Sequence, residues 1–176
     1  MGKRVVIFCA SSDTIDPKYN QAARQLVSGL HALGYDVVSG GGERGTMGAI
    51  TGESVRVRGR HVAVLPRFMQ GLEHPGIREV VWTDTMAQRK ERMRENTVAA
   101  IALPGGIGTL DELVETHVLR KLHRYGGDIF ALNLDGFYNP LKDLLSHFSQ
   151  THMTDQSDVD LIRFPETVEE LLKYFK

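Results

Sequence analysis

The sequence predicts an α/β fold, a doubly wound and mostly parallel sheet with helices on both faces, formed by one domain over residues 1–176. Three observations predict it. Short apolar runs alternate with longer amphipathic ones along the chain, as in strand–helix units that pair in parallel. Runs such as residues 99–103 are apolar throughout, which suits strands covered on both sides. A length of 176 residues matches one domain and suffices to bury a core without disulfides or metals.

Residues 4–9 are rich in β-branched side chains and read as a buried strand. Pro17 opens a helix in which Tyr19, Ala22, Ala23, Leu26, Val27 and Leu30 recur at helical spacing, and Gly34 ends it. Residues 35–39 form a second strand running into Gly40-Gly41-Gly42, and residues 47–58 the next helix. A third strand, 61–65, stops at Pro66; residues 67–76 read as a loop or irregular turn, and 79–82 as a short fourth strand. Residues 85–96 make a strongly charged helix, 98–103 a fully apolar fifth strand, and 110–123 a helix. A sixth strand, 128–134, precedes the turn Asp135-Gly136, and residues 137–149 are helical. The polar stretch 151–158 reads as an exposed loop, 159–164 as a last strand, and Pro165 opens a short helix to Tyr174. Right-handed crossovers between such strands give a Rossmann-like arrangement.

Composition narrows the function. The formal net charge is −1 without a basic run, which argues against a nucleic-acid footprint. No stretch approaches the ~20 apolar residues of a membrane span. The only cysteine is Cys9, so no intrachain disulfide forms, and the chain reads as cytoplasmic. None of the seven histidines falls in a metal-ligand spacing, and one cysteine does not make a zinc site. Neither a metal nor a cofactor is expected.

In open parallel sheets, ligands bind beyond the carboxyl ends of the strands. There the sequence places Ala10-Ser11-Ser12 and two glycine-rich loops, residues 40–48 and 104–109. Glycine admits close backbone approach, and a helix N-terminus behind it offers free N–H groups and partial positive charge, a natural phosphate site. One such loop is often a plain strand–helix turn; two at the same sheet edge point to a ligand. Residues 40–45 also fit G-x-G-x-x-G, the dinucleotide fingerprint. That fingerprint belongs to the first strand–helix turn, with an acidic residue about 20 positions on; here it follows the second strand, and the third ends in Leu65-Pro66-Arg67.

Thr109 and Glu112 form T-x-x-E at a helix start. This is either a capping box or a carboxylate set to touch a sugar beside a phosphate loop. On the charged helix, Arg89 and Arg92 share a face, and both have the shape for phosphate recognition; spacing does not choose between them. Ser11 and Ser12 lack His–Asp partners for a triad and read as hydroxyl donors at the ligand edge. Cys9, at a strand end, reads as buried and inert.

Together, Gly40-Gly41-Gly42-x-x-Gly45-x-Met47-Gly48, Arg89-Lys90-x-x-Met93 and Pro104-Gly105-Gly106-x-Gly108-Thr109-x-x-Glu112 resemble the Lonely Guy (LOG) family. The likeness runs from Phe8-Cys9-Ala10-Ser11-Ser12 to Asn133-x-Asp135-Gly136-Phe137-Tyr138. It implies a homodimeric Rossmann-like hydrolase that cleaves the N-glycosidic bond of a nucleoside 5′-monophosphate, AMP or a cytokinin riboside monophosphate, to free base and ribose 5-phosphate. The resemblance implies Arg89 and Glu112 as the catalytic pair and Gly105, Gly106, Gly108 and Thr109 as the phosphate loop. Gly41, Gly42, Gly45, Met47 and Gly48, with Lys90, Ser11 and Ser12, complete the expected binding set. The chain departs from the family at Ala10 and Ala87, where Gly and His are common, and over residues 96–99 and 119–128. The alternative is a non-hydrolysing nucleotide or molybdenum-cofactor carrier of the same fold.

Overall fold

Seven strands, all parallel, form one sheet in the order β4-β3-β2-β1-β5-β6-β7 in a computed structural model that describes residues 2–176. The strands are β1 Arg4–Phe8, β2 Asp36–Ser39, β3 His61–Pro66, β4 Glu79–Thr83, β5 Thr97–Ala102, β6 Asp128–Ala131 and β7 Ile162–Arg163. The chain winds outward from β1 to β4, then returns to lay β5 on the other side of β1. The winding direction therefore reverses between β1 and β5, the place where open α/β sheets leave a crevice at their carboxyl edge.

Alternation along the strands builds two cores. Val5 and Ile7 of β1 join Leu26, Val27 and Leu30 of helix α1 (Pro17–Ala32) and Leu171 of helix α7 (Val168–Leu172) on one face. Val6 and Phe8 join Met93 of α3 (Met86–Arg94), Leu113 of α4 (Ile107–Lys121) and Leu145 of α5 (Asn139–Gln150) on the other. The start of α1 is built as its sequence indicates: the Asp16 carboxylate accepts the Lys18 N–H at 3.0 Å and Pro17 occupies the first turn.

Several boundaries differ from the expectation. Helix α2 is Gly45–Arg56, starting two residues early because Gly45 takes a positive φ of 58° and turns the chain directly into it. Strand β6 ends at Ala131, where the carbonyl of Pro165 captures the Asn133 N–H (2.8 Å) and a 3-10 turn Leu134–Gly136 follows. The expected last strand shrinks to Ile162–Arg163, because Gln156–Val159 coils into a short helix, α6, inside the supposed loop. Residues 67–76 hold the 3-10 helix Arg67–Met69 and a bridge from Glu73 to Gly42, which lays this segment against the first glycine loop. No helix among the described residues is long and apolar enough to cross a membrane.

His61 shows how the sheet carries a polar side chain inside. Its Nε2 pairs with Ser39 Oγ at 2.8 Å, and the same hydroxyl accepts the Gly41 N–H at 3.2 Å. Burial pushes the His61 pKa down from 6.5 to about 4. The unfolded chain therefore takes up this proton first, and stability falls as the pH drops from 6.5 toward 4. The His61 ring resonances are expected to titrate near pH 4 by NMR, and this residue alone should lower the unfolding free energy by about 3 kcal/mol between neutral pH and that point; titration near the ordinary histidine value contradicts the burial argument.

Candidate active site at the carboxyl edge of the sheet

Because all strands are parallel, the segments after β1, β2 and β5 meet at one edge. The loop after β1 is stapled to the first glycine loop. Asp13 accepts from Gly45 N (2.8 Å) and from Arg44 Nε (2.7 Å), and the Ala10 carbonyl accepts from Met47 N at 3.1 Å. Only glycine fits at 45: a Cβ there would stand 2.5 Å from the Ser12 carbonyl oxygen. Two N–H groups in the first turn of α2 thus point into the protein. The first loop therefore spends part of its donors on the protein itself.

The second loop is different. Helix α4 is capped by Gly106 in extended conformation, with no side-chain cap bond, and its first helical bond is Leu110 N to the Gly106 carbonyl (3.0 Å). The N–H groups of Ile107, Gly108 and Thr109 precede that bond, and among the described residues none finds another partner. A Cβ on Gly106 or Gly108 would meet nothing within 4 Å, so the space above these amides is open. At Gly105 a Cβ would run into the Thr109 side chain, which lets that hydroxyl fold back over the loop.

The capping box at Thr109 and Glu112 does not form. The helix begins two residues before Thr109, which places both side chains inside it. Glu112, 8% exposed, instead faces Arg89, also 8% exposed, across the gap between α3 and α4. Arg89 Nη1 donates to Glu112 Oε1 at 2.9 Å and Nε donates to the Val64 carbonyl at 3.1 Å. Its Nη2 lies where a Cβ on Gly40 would have to be. One guanidinium therefore joins β3, α4 and the first glycine loop. Burial pushes the Glu112 pKa up, and the Arg89 charge opposes that rise without cancelling it.

Geometry separates Arg89 from Arg92. Arg92 is exposed and paired to Glu95 at 2.5 Å. Lys90 bonds Asp111 at 2.9 Å and also pairs with Glu115, which Arg94 holds at 2.8 Å. These pairs clamp α3 to α4 and leave the Lys90 ammonium engaged. Met47 packs its sulfur against Gly40 and Gly42, and the Glu43 carbonyl sits where a Cβ on Gly48 would be. Ser12 Oγ turns to Thr14 Oγ1 at 3.0 Å, and Ser11 and Ser12 are both exposed at the rim. Cys9 is buried, and burial first, then Glu112, pushes its thiol up; it stays protonated and is no nucleophile. Among the described residues no cluster of His, Cys, Asp or Glu could hold a metal.

Sequence reasoning missed the partner of Arg89's Nε, the Val64 carbonyl. It also missed Asp13, the carboxylate that organises the first loop. Asp13 follows Ser11-Ser12 directly, at a strand end facing a glycine loop, and that position was the available signal.

A family model described as "Possible lysine decarboxylase" matches residues 47–175. A rice (Oryza sativa subsp. japonica) protein named "Probable cytokinin riboside 5'-monophosphate phosphoribohydrolase LOGL2" is 36% identical over 97% of this chain and 71% of its own length. Cytokinin riboside 5'-monophosphate phosphoribohydrolase LOG7 of Arabidopsis thaliana is 42% identical over 79% of this chain, which spans 65% of that relative. Among solved structures, the molybdenum cofactor carrier protein of Chlamydomonas reinhardtii superposes with a TM-score of 0.75 over 99% of this chain and 96% of its own, at 14% identity, a likeness of fold alone. Model, relatives and motifs agree that this chain belongs to the LOG family.

Proposed function

We propose that this protein is a nucleoside 5′-monophosphate phosphoribohydrolase. It hydrolyses the N-glycosidic bond of AMP or a cytokinin riboside monophosphate, releasing the base and ribose 5-phosphate. The observation that carries this reading is the buried Arg89–Glu112 pair placed beside the uncapped start of α4. The relatives named as phosphoribohydrolases support it.

The 5′-phosphate sits on the free N–H groups at 107–109, where the helix dipole favours an anion. Gly105, Gly106, Gly108 and Thr109 shape this cradle. Gly41, Gly42, Gly45, Met47 and Gly48 form the opposite wall beside the base, and Ser11 and Ser12 stand at its rim. Cleavage of C1′–N builds positive charge on the ribose, as in other glycoside hydrolyses. The Glu112 carboxylate, in a site mostly shielded from water, stabilises that charge and holds the ribose hydroxyls. Water adds hydroxide to C1′ and its proton leaves with the base. Arg89 orients Glu112 and keeps it ionised against the cost of burial.

Decarboxylation through a pyridoxal group needs a lysine whose amine is free to form a Schiff base. Lys90 stands next to the site, but hydrogen bonds to Glu115 and Asp111 raise its pKa, opposite to what an amine nucleophile requires. A carrier role has no use for a buried carboxylate–guanidinium pair, so retention of both residues favours the hydrolase.

The active form is proposed to be a homodimer. Ile107, Leu110, Val114, Val118 and Leu122 expose an apolar stripe along α4, wider than isolated surface residues require. A second copy of this chain is its occupant, which sets the dimer contact beside the phosphate loop.

Four outcomes follow. Glu112→Gln is expected to lower kcat by about 10²–10³-fold, the size typical of losing one electrostatic stabiliser, while AMP still binds in calorimetry; near-full turnover removes Glu112 from the chemistry. The acid limb of wild-type kcat/KM should lie above the ordinary glutamate value of 4.5, since the carboxylate must be ionised. Gly106→Val should abolish AMP binding by filling the open space over the amides, and unchanged binding contradicts the phosphate placement. Val118→Glu should shift the mass measured by light scattering from dimer to monomer, and a variant that stays dimeric rejects this face.

A further inference from the structure

The segment after β6, Asn133 to Asn139, lies outside the chemistry just described, yet it is among the most tightly bonded parts of the carboxyl edge. Asn133 is 2% exposed. Its Oδ1 accepts the Tyr138 N–H at 2.7 Å and its Nδ2 donates to Asn139 Oδ1 at 2.9 Å. Between them Asp135 and Gly136 adopt positive φ, 52° and 75°, turning the chain back on itself. The turn is tied outward to the start of α1: Asp135 accepts from Lys18 Nζ at 2.8 Å, and Phe137 meets Tyr19 edge-to-face at 5.8 Å. Inward it presents Tyr138, 6% exposed, whose hydroxyl donates to the Leu103 carbonyl at 2.7 Å. Burial pushes the phenol pKa up, so the hydroxyl keeps its proton for that bond.

Leu103 is the last residue before Pro104-Gly105-Gly106. Proline has no N–H, so the peptide between Leu103 and Pro104 can be held only by its carbonyl. Among the described residues, the Tyr138 hydroxyl is the partner that carbonyl has. Beyond this peptide the chain runs through two glycines, with little side-chain packing to fix its direction. This peptide is the last one held by a side chain before the amides at 107–109.

We propose that Tyr138 is a positioning residue for the second glycine loop: its hydroxyl, acting through the Leu103 carbonyl, aims the loop's N–H groups at the substrate phosphate. The proposal rests on the phosphoribohydrolase reading above. Arg89 and Glu112 are fixed by other contacts, to Val64 and to each other, so the tyrosine acts on phosphate binding more than on bond cleavage.

Tyr138→Phe tests this, since it deletes one hydroxyl and leaves the ring in its buried cluster. The expected result is a KM for AMP raised about tenfold, the size of one lost neutral hydrogen bond, with kcat within about threefold of wild type. Binding of ribose 5-phosphate, measured by calorimetry well below the melting temperature of each protein, should weaken by the same factor. Amide exchange at 105–109 should quicken. A lowered melting temperature with KM and ribose 5-phosphate binding unchanged makes Tyr138 purely structural and overturns the proposal, as does a loss confined to kcat. If wild-type protein binds and cleaves while the variant matches it, only the role of Tyr138 falls. If wild-type protein neither binds ribose 5-phosphate nor cleaves AMP, the functional reading falls and takes this one with it.

Discussion

The carboxyl edge of this molecule is organised around one buried ion pair, Arg89 with Glu112. Taking a guanidinium and a carboxylate out of water costs several kcal/mol per ion, and their attraction offsets this only when geometry and further hydrogen bonds are good. The surroundings are arranged to meet that demand. Val64 gives Arg89 a carbonyl, Gly40 gives up its side chain to make room for Nη2, and the Lys90 and Arg94 pairs with α4 hold the two helices in register. The offset is incomplete, because Glu112 still ionises less readily than a free glutamate. Replacing a buried ion pair by apolar side chains is often neutral or stabilising in proteins, so the pair is weak evidence of stability and fits the chemical role proposed above.

The two glycine-rich loops look alike in sequence and are tied to the rest of the protein differently. Both leave a parallel strand and enter a helix at the same edge. In the first, Asp13 and the Ala10 carbonyl consume N–H groups at the start of α2, and the segment around Glu73 bridges to Gly42 from above. In the second, an extended glycine caps α4 with no side chain, and three amides remain free. An anion gains from unpaired donors, and in the second loop they stand together in the first turn of one helix. The segment at 133–139 stiffens that side further, through a hydroxyl on a peptide that has no N–H of its own to anchor.

The pattern T-x-x-E/Q shows how far local sequence carries. It occurs at Thr85–Gln88, Thr109–Glu112 and Thr167–Glu170. The first and third cap their helices: Thr85 accepts from Gln88 N at 3.2 Å, Thr167 accepts from Glu170 N at 3.1 Å, and each long side chain reaches back to a backbone N–H just ahead of its helix. The middle one does not, because Pro104-Gly105-Gly106 starts α4 early and moves Thr109 inside the helix. Its glutamate is then free to face a guanidinium brought from another element. The spacing alone does not separate these cases; the helix start does.

The strands, most helices, their two-faced burial and the meeting of glycine loops at one edge were legible in the sequence, because apolar periodicity and glycine placement are local properties of the chain. The family was legible too, since its motifs are contiguous. Element ends were less so: β6 stopped where the distant Pro165 carbonyl captured an amide, and α6 formed inside an expected loop. Which arginine pairs with Glu112, which donors of the first loop are engaged and what holds the Leu103 carbonyl were decided only by tertiary structure. Each depends on groups more than 20 residues apart in sequence meeting within hydrogen-bond range, and that distance exists only once the sheet has placed its strands side by side.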